Sequence, residues 1–185
     1  MLRYSFTAAV LLLSSAVAGA GGAAPQASAA AGQSAATAPM QLFTSPEGRF
    51  SVMMPGTPVK SSEQAKLSDS TSIAIYEFSI SLASDNISYL VMYNDYPAGY
   101  AEDGPQAVLA RTRDGAVKNK TLNSDLEISL NGIPGRAFTS TDSDGFNYSV
   151  RQFLNGKRLY QLIVVSNKGY TAAQTDEFMN SFRIL

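Results

Sequence analysis

Three dipeptides narrow the folding options of this chain more than any other feature: Asn131-Gly132, Asp144-Gly145 and Asn155-Gly156. Each stands between apolar runs, and Asn-Gly or Asp-Gly in that setting is the strongest short-range hairpin signal. The reason is steric: tight hairpin turns need a positive φ, which Gly adopts freely and Asn and Asp tolerate. The flanking runs "LEISLNGIPGRAFTST", "FNYSVRQFLN" and "RLYQLIVVSN" are of strand length and rich in β-branched and aromatic residues. An antiparallel meander is predicted over this third of the chain.

Strand signals also precede the meander. "LFTSPEGRFSVMMPGTPV" is predicted as two short strands around a turn at Ser45-Pro46-Glu47-Gly48, with Pro and Gly where a type I turn prefers them. The polar stretch from Ser61 to Thr71 is expected as a loop or an edge strand. In "STSIAIYEFSISL" the even positions Ala74, Tyr76, Phe78, Ile80 and Leu82 are apolar, and the odd positions turn polar from Glu77 onward. That alternation gives a strand with one buried face. "NISYLVMYNDY" places Ile87, Tyr89, Val91 and Tyr93 on one face and Leu90 and Met92 on the other. A strand apolar on both faces belongs inside a sheet covered on both sides.

Two helices are predicted. Asp103-Gly104-Pro105 opens the first, since Pro suits the first helical position, and Val108, Leu109, Thr112 and Ala116 recur at helical spacing. Gly115 is expected to end or bend it, and Arg111, Arg113 and Lys118 to form its solvated face. The second runs from Thr171, with Thr171 and Gln174 spaced as a capping box and Thr175, Phe178, Met179 and Phe182 on one face. About seven or eight strands with segregated helices indicate an α+β fold: one domain, a mostly antiparallel sheet, and two main helices packed on its faces.

The first 40 residues differ in kind. Residues 1–20 combine Arg3, an apolar stretch and a small-residue ending at Ala18-Gly19-Ala20, the layout of a secretory signal peptide. Residues 21–40 are Ala- and Gly-rich and uncharged, and are expected as a disordered tether because nothing in them offsets the entropy of ordering. The α+β domain then spans residues 41–185. An exported protein, periplasmic or secreted, follows, with no stable membrane span once the signal is removed. No Cys follows the apolar run, so a lipid-anchored form is excluded.

Composition excludes much chemistry. The 185 residues include no His and no Cys. Disulfides, Ser-His-Asp and Cys-His nucleophiles, and His or Cys zinc and haem sites are therefore ruled out. With a formal net charge of −1 and no dense Lys/Arg cluster, nucleic acid is not an expected partner. What stays open is a carboxylate pair, a Ser-Lys pair or a hard-cation site, and the expectation is no cofactor.

Phe50-x-Val52-x-x-Pro55-Gly56 near the start, the mid-chain helix, the Asn-Gly meander, and Phe178-x-x-Ser181-Phe182 at the end come in a characteristic order. Together they resemble the PsbP-like superfamily over roughly residues 41–185. That resemblance implies a central antiparallel sheet with helices on its faces and, commonly, binding or assembly rather than catalysis. The His residues linked with metal binding in PsbP proteins have no counterpart here.

The candidate binding residues are Tyr93, Asp95, Tyr96, Tyr100 and Glu102, within "YNDYPAGYAEDG" between a buried strand and a helix start. Aromatic faces with a few polar groups suit a ligand pocket, and loops at strand ends are where function concentrates. A well-packed connection would use the same residues. Asp142-x-Asp144-Gly145 echoes part of a calcium loop, but aligned on Gly145 the first ligand position holds Ser140 and the twelfth Arg151. A hairpin turn explains it without metal. Glu47, Glu77, Asp95 and Glu127 are the acids from which a glycosidase-like pair could be drawn. The leading expectation is an exported non-enzymatic binding or assembly module with a protein or small-ligand partner in the envelope. A carboxylate-based hydrolase and a calcium-dependent adhesion module are the alternatives.

Overall fold

The computed structural model describes residues 39–67, 71–82, 87–167 and 173–185. The expected signal peptide, most of the expected tether, and Thr171 with its capping role lie outside the described residues.

The Asn-Gly turns do what their chemistry demands. Strand β6 (Thr121–Leu130) turns into β7 (Ile133–Thr141) through Asn131 and Gly132 alone, with φ of 51° and 84°. Two positive φ values are the signature of the type I′ connection. Strand β8 (Asn147–Asn155) returns as β9 (Arg158–Ser166) with Asn155 opposite Arg158. The two turn residues there are Gly156 and Lys157, one step on from the expected pair, and Gly156 takes the positive φ of 59°. Between β7 and β8 the expected tight Asp144-Gly145 turn is instead a five-residue connection, Asp142 to Phe146, because Asp142 organises it through its side chain.

Ahead of the meander come β1 (Gln41–Ser45), β2 (Phe50–Met54), β3 (Val59–Lys66), β4 (Ser72–Leu82) and β5 (Ile87–Asp95), then helix α1 (Pro105–Ala116). Helix α2 (Ala173–Ser181) and a two-residue strand β10 (Arg183–Ile184) end the chain. Seven strands form one antiparallel sheet in the order β3-β4-β5-β9-β8-β7-β6. The polar stretch after Pro58 is thus an edge strand rather than a loop, and β5 lies inside the sheet as its two apolar faces require. A second sheet, β1-β2-β10, was not foreseen: Arg183 and Ile184 pair with Ser51 and Phe50. Ten described strands therefore replace the expected seven or eight.

The small sheet and α2 cover one face of the large sheet. Phe50, Val52, Tyr89, Val91, Tyr160, Leu162, Phe178 and Phe182 are buried between them. Ser181 fixes the layers: its hydroxyl accepts from the Met53 amide at 2.8 Å and donates to the Phe178 carbonyl at 2.8 Å. Arg151 on β8 donates to the Met179 carbonyl at 3.1 Å, placing a cation at the helix C-terminus where the dipole favours it. The opposite face carries α1, whose Val108 and Leu109 pack with Leu67, Ile73, Leu154 and Leu159.

Pro105 occupies the first turn of α1 as predicted, and the helix ends one residue after Gly115. Its expected solvated face needs correction. Arg113 pairs with Asp125 of β6, which Arg136 of β7 also holds at 2.6 and 2.8 Å, and all three side chains are less than a fifth exposed. Arg113 is thus drawn into a largely buried ion-pair network with the meander, Arg111 pairs with the more exposed Asp103, and Lys118 stays exposed as expected.

Candidate functional site

The chain leaves β5 at Asp95 and crosses to α1 through a loop of nine residues, Tyr96 to Gly104. The Tyr96 amide donates to the Lys157 carbonyl at 2.9 Å, so the loop starts out tied to the β8–β9 turn. Short-range bonds from Tyr100 to Pro97, Glu102 to Gly99 and Gly104 to Ala101 wind the remainder into successive tight turns. Gly99 and Gly104 supply the positive φ values, 84° and 94°, that such winding requires.

Tyr96 and Tyr100 stack with ring centroids 4.1 Å apart and planes within 12°. The Arg111 guanidinium lies 5.4 Å from the Tyr100 ring centre and donates to the Tyr100 carbonyl at 3.3 Å. Arg111 also forks onto Asp103, and that pairing holds the Asp103 carboxyl below its ordinary range. The Tyr96 hydroxyl lies 3.4 Å from that of Thr112, and burial pushes its ionisation up. Beside this stack is a shallow hollow of about 300 Å³, lined by Tyr96, Pro97, Gly99, Glu102, Gly156 and Lys157 among others.

The five candidate residues do not form one constellation. Tyr96 and Glu102 line the hollow and Tyr100 stacks behind Tyr96, but Tyr93 and Asp95 lie elsewhere. Tyr93 points into the core on the other face of the sheet, stacked on Tyr76 at 4.9 Å. Asp95 accepts both forks of Arg158, at 2.7 and 2.6 Å. That double bond holds the Asp95 carboxyl below its usual range and raises the guanidinium further. The same guanidinium covers the Tyr93 ring at 4.8 Å and donates to the carbonyls of Glu47 and Gly48 at 3.1 and 3.2 Å. Asp95 and Arg158 thus fasten the β1–β2 loop to the large sheet. β5 ends at Asp95, so Tyr93 keeps to the strand's core-facing side whereas Tyr96 follows the loop to the face that carries α1.

The partial calcium motif is occupied by its own loop. Asp142 accepts from the Asp144 and Phe146 amides at 3.0 and 2.9 Å and from the Tyr148 hydroxyl at 2.8 Å. Burial works against its charge, yet these donors outweigh burial and leave the carboxyl below its ordinary range. Among the described residues no group of three or more Asp or Glu is placed to hold a metal ion. Glu47 pairs with Lys60 at 2.6 Å, and Glu127 lies on edge strand β6.

A second hollow was not signalled by any motif. On the face that carries α2, Leu126, Ile128 and Leu130 of β6 and Ala137 of β7 stand beside Phe153, Met179 and Phe182, enclosing about 440 Å³. Its floor depends on Gly135: a Cβ there would come within 2.6 Å of the Gln152 carbonyl and of the Phe153 ring. Leu126 at its rim is 65% exposed. The apolar alternation of "LEISL" was visible, but sequence does not tell that β6 would be an edge beyond the reach of α2.

The chain is similar in fold to PsbP. The solution structure of cyanobacterial PsbP (CyanoP) from Synechocystis sp. PCC 6803 matches with a TM-score of 0.49 at 9% identity, covering 85% of this chain and 99% of that one. A protein of unknown function from Pseudomonas aeruginosa matches with a TM-score of 0.41 at 14% identity, covering 70% and 83% respectively. No protein-family model and no curated protein matches the chain. A likeness of fold by itself assigns no function.

Proposed function

We propose that the chain is an exported, non-enzymatic binding or assembly module, directed out of the cytoplasm by residues 1–20 and joined to its domain by the tether of residues 21–40. One observation carries this reading. The acids whose carboxyls are held below their ordinary range, Asp95, Asp103, Asp125 and Asp142, are bound to arginines or turns of the fold itself. The two hollows mix aromatic and aliphatic surface with Ser129, Arg151, Lys157 and Asn180, and among their lining residues Glu102 is the sole carboxylate. A hydrolase needs two carboxylates about 5 to 10 Å apart across a cleft. Surface of the observed kind favours holding a partner over reacting with it.

Among the described residues no helix is long and apolar enough to cross a membrane. The reading is tested in two parts. A reporter active only outside the cytoplasm, fused after residue 40, is expected to gain activity that depends on residues 1–20. The purified chain is expected to give no turnover above blank on a panel of glycoside, ester, phosphate and peptide substrates. Turnover abolished by substituting one carboxylate refutes the module and restores the hydrolase.

A further inference from the structure

The large sheet has two edges, and their residues differ. Strand β3, "VKSSEQAK", spreads Lys60, Glu63 and Lys66 along one edge, the charged composition that discourages strand pairing. Strand β6 ends the other edge with "LEISL", and its outward backbone groups have no strand partner among the described residues. Leu126, Ile128 and Leu130 project to the same side as Ala137 and Phe153, because the register places Ala137 opposite Leu126 and Gly135 opposite both Ile128 and Phe153. The apolar side chains of this edge therefore run straight into the 440 Å³ groove beside α2. On the other side of β6 stand Asp125, committed to Arg113 and Arg136, and Glu127, which is two-thirds exposed and 4.0 Å from Arg136.

We propose that the β6 edge and its groove form a docking site for an extended strand of another protein, apolar at every second residue and carrying Lys or Arg between. The proposal rests on the binding-module reading and names that module's site and partner chemistry. An added strand would pair with the free backbone of β6, lay alternate side chains over Leu126, Ile128 and Phe153, and turn the rest toward Glu127. Directly opposed unlike charges across a strand pair add to its stability and like charges subtract from it.

Charge and size decide among occupants. A second copy pairing through β6 would bring two Glu127 side chains to the same face. The chain's own residues 21–38 contain nothing larger than Gln, so they offer no anchor for an aliphatic and aromatic groove. A basic-apolar strand from a partner satisfies both the groove and the acid.

The test selects from a displayed library of random ten-residue peptides against the full-length chain, then maps binding by amide shifts. The expected outcome is enrichment of period-two apolar peptides with intervening Lys or Arg, and shifts concentrated on β6, β7 and α2. Leu126→Asp, at an exposed position that leaves folding intact, is expected to weaken binding at least tenfold, and Glu127→Arg to move the preference toward acidic peptides. N-methylation of alternate peptide amides is expected to abolish binding while leaving the side chains in place, which separates strand pairing from apolar contact alone. Enrichment of helix-spaced peptides, shifts confined to the Tyr96 hollow, or no enrichment overturns the site. So does a concentration-dependent dimer lost in Leu126→Asp, which would assign the edge to a second copy. The same preparations are assayed for hydrolysis: turnover refutes the module reading itself, whereas binding elsewhere without turnover refutes the site alone.

Discussion

Replacing Phe182 by Ala removes the side chain that joins all the layers on one face of the sheet. Its ring lies 5.7 Å from Phe50 of the small sheet, 6.0 Å from Phe153 of β8 and 5.6 Å from Tyr160 of β9. It is 1% exposed and follows directly after α2. Burying such a side chain contributes about 1.5–3 kcal/mol, and well-oriented aromatic pairs add about 0.5–1.5 kcal/mol beyond area, not fully additively. The vacated space is walled by three rings, Phe50 among them tightly packed against Phe78 and Tyr160, so it collapses only in part. The expected loss is therefore about 3–5 kcal/mol, the span measured for buried aromatic truncations. Urea unfolding followed by circular dichroism measures it, with an unchanged slope confirming that the denatured state is unaltered. Leu126→Ala, at an exposed position, is the control and is expected to stay within about 0.5 kcal/mol of wild type. A loss below about 1 kcal/mol for Phe182→Ala would refute the packing of α2 and the chain end described here.

Further predictions follow from single contacts. Gly135→Ala forces a Cβ to within 2.6 Å of the Gln152 carbonyl, and is expected to cost about 1–3 kcal/mol in the same melts, as overpacking does. Stability is expected to fall as pH drops below about 4, the ordinary range of a carboxyl in an unfolded chain. The side-chain bonds of Arg158 to Asp95 and of Arg136 to Asp125 hold both folded carboxyls lower than that. The unfolded chain therefore takes up protons first, and the stabilisation present above that pH is lost toward the folded values. Asp125→Asn should flatten the acid side of the stability–pH curve, and an unaltered curve would show that Asp125 is not held as described. Saturating calcium is expected to leave the melting temperature unchanged, since the Asp142 carboxylate is already filled by its own loop. A rise would show binding to the native state and bring back the calcium reading.

Much of the fold was legible because its signals are local. Alternation in "STSIAIYEFSISL", the double apolar faces of β5, and the Asn131-Gly132 turn each report on a few neighbouring residues, and each agrees with the sheet. The helical spacing of the closing segment agrees likewise, since Phe178, Met179 and Phe182 are buried against the sheet. What was not legible depends on distant pairing. Nothing near Arg183-Ile184 announces that it will pair with β2, roughly 130 positions earlier in sequence. Arg113 looked solvated because its partner Asp125 belongs to a different element. The candidate site divided for a related reason: Tyr93 and Asp95 still obey the strand's alternation, whereas Tyr96 follows the loop onto the other face.

The groove itself follows from widths. Seven strands spaced about 4.8 Å apart make a sheet roughly 29 Å across. A three-stranded sheet and one helix laid side by side cover about 20 Å, the strands taking two such spacings and the helix about 10 Å. About 9 Å, or two strands, is then left at the margin, at β6 and β7, where Ile128, Leu130 and Ile133 reach the core only in part. A sheet face destined for water would be expected to turn polar there, as antiparallel sheets with one solvated side do. On β6 it does not: Ile128 and Leu130 are half-buried against the core, and Leu126 continues the apolar pattern beyond them at 65% exposure. The mismatch between where the cover stops and where the apolar residues stop is the physical ground for looking at this edge, rather than at the tyrosine loop, for what the module holds.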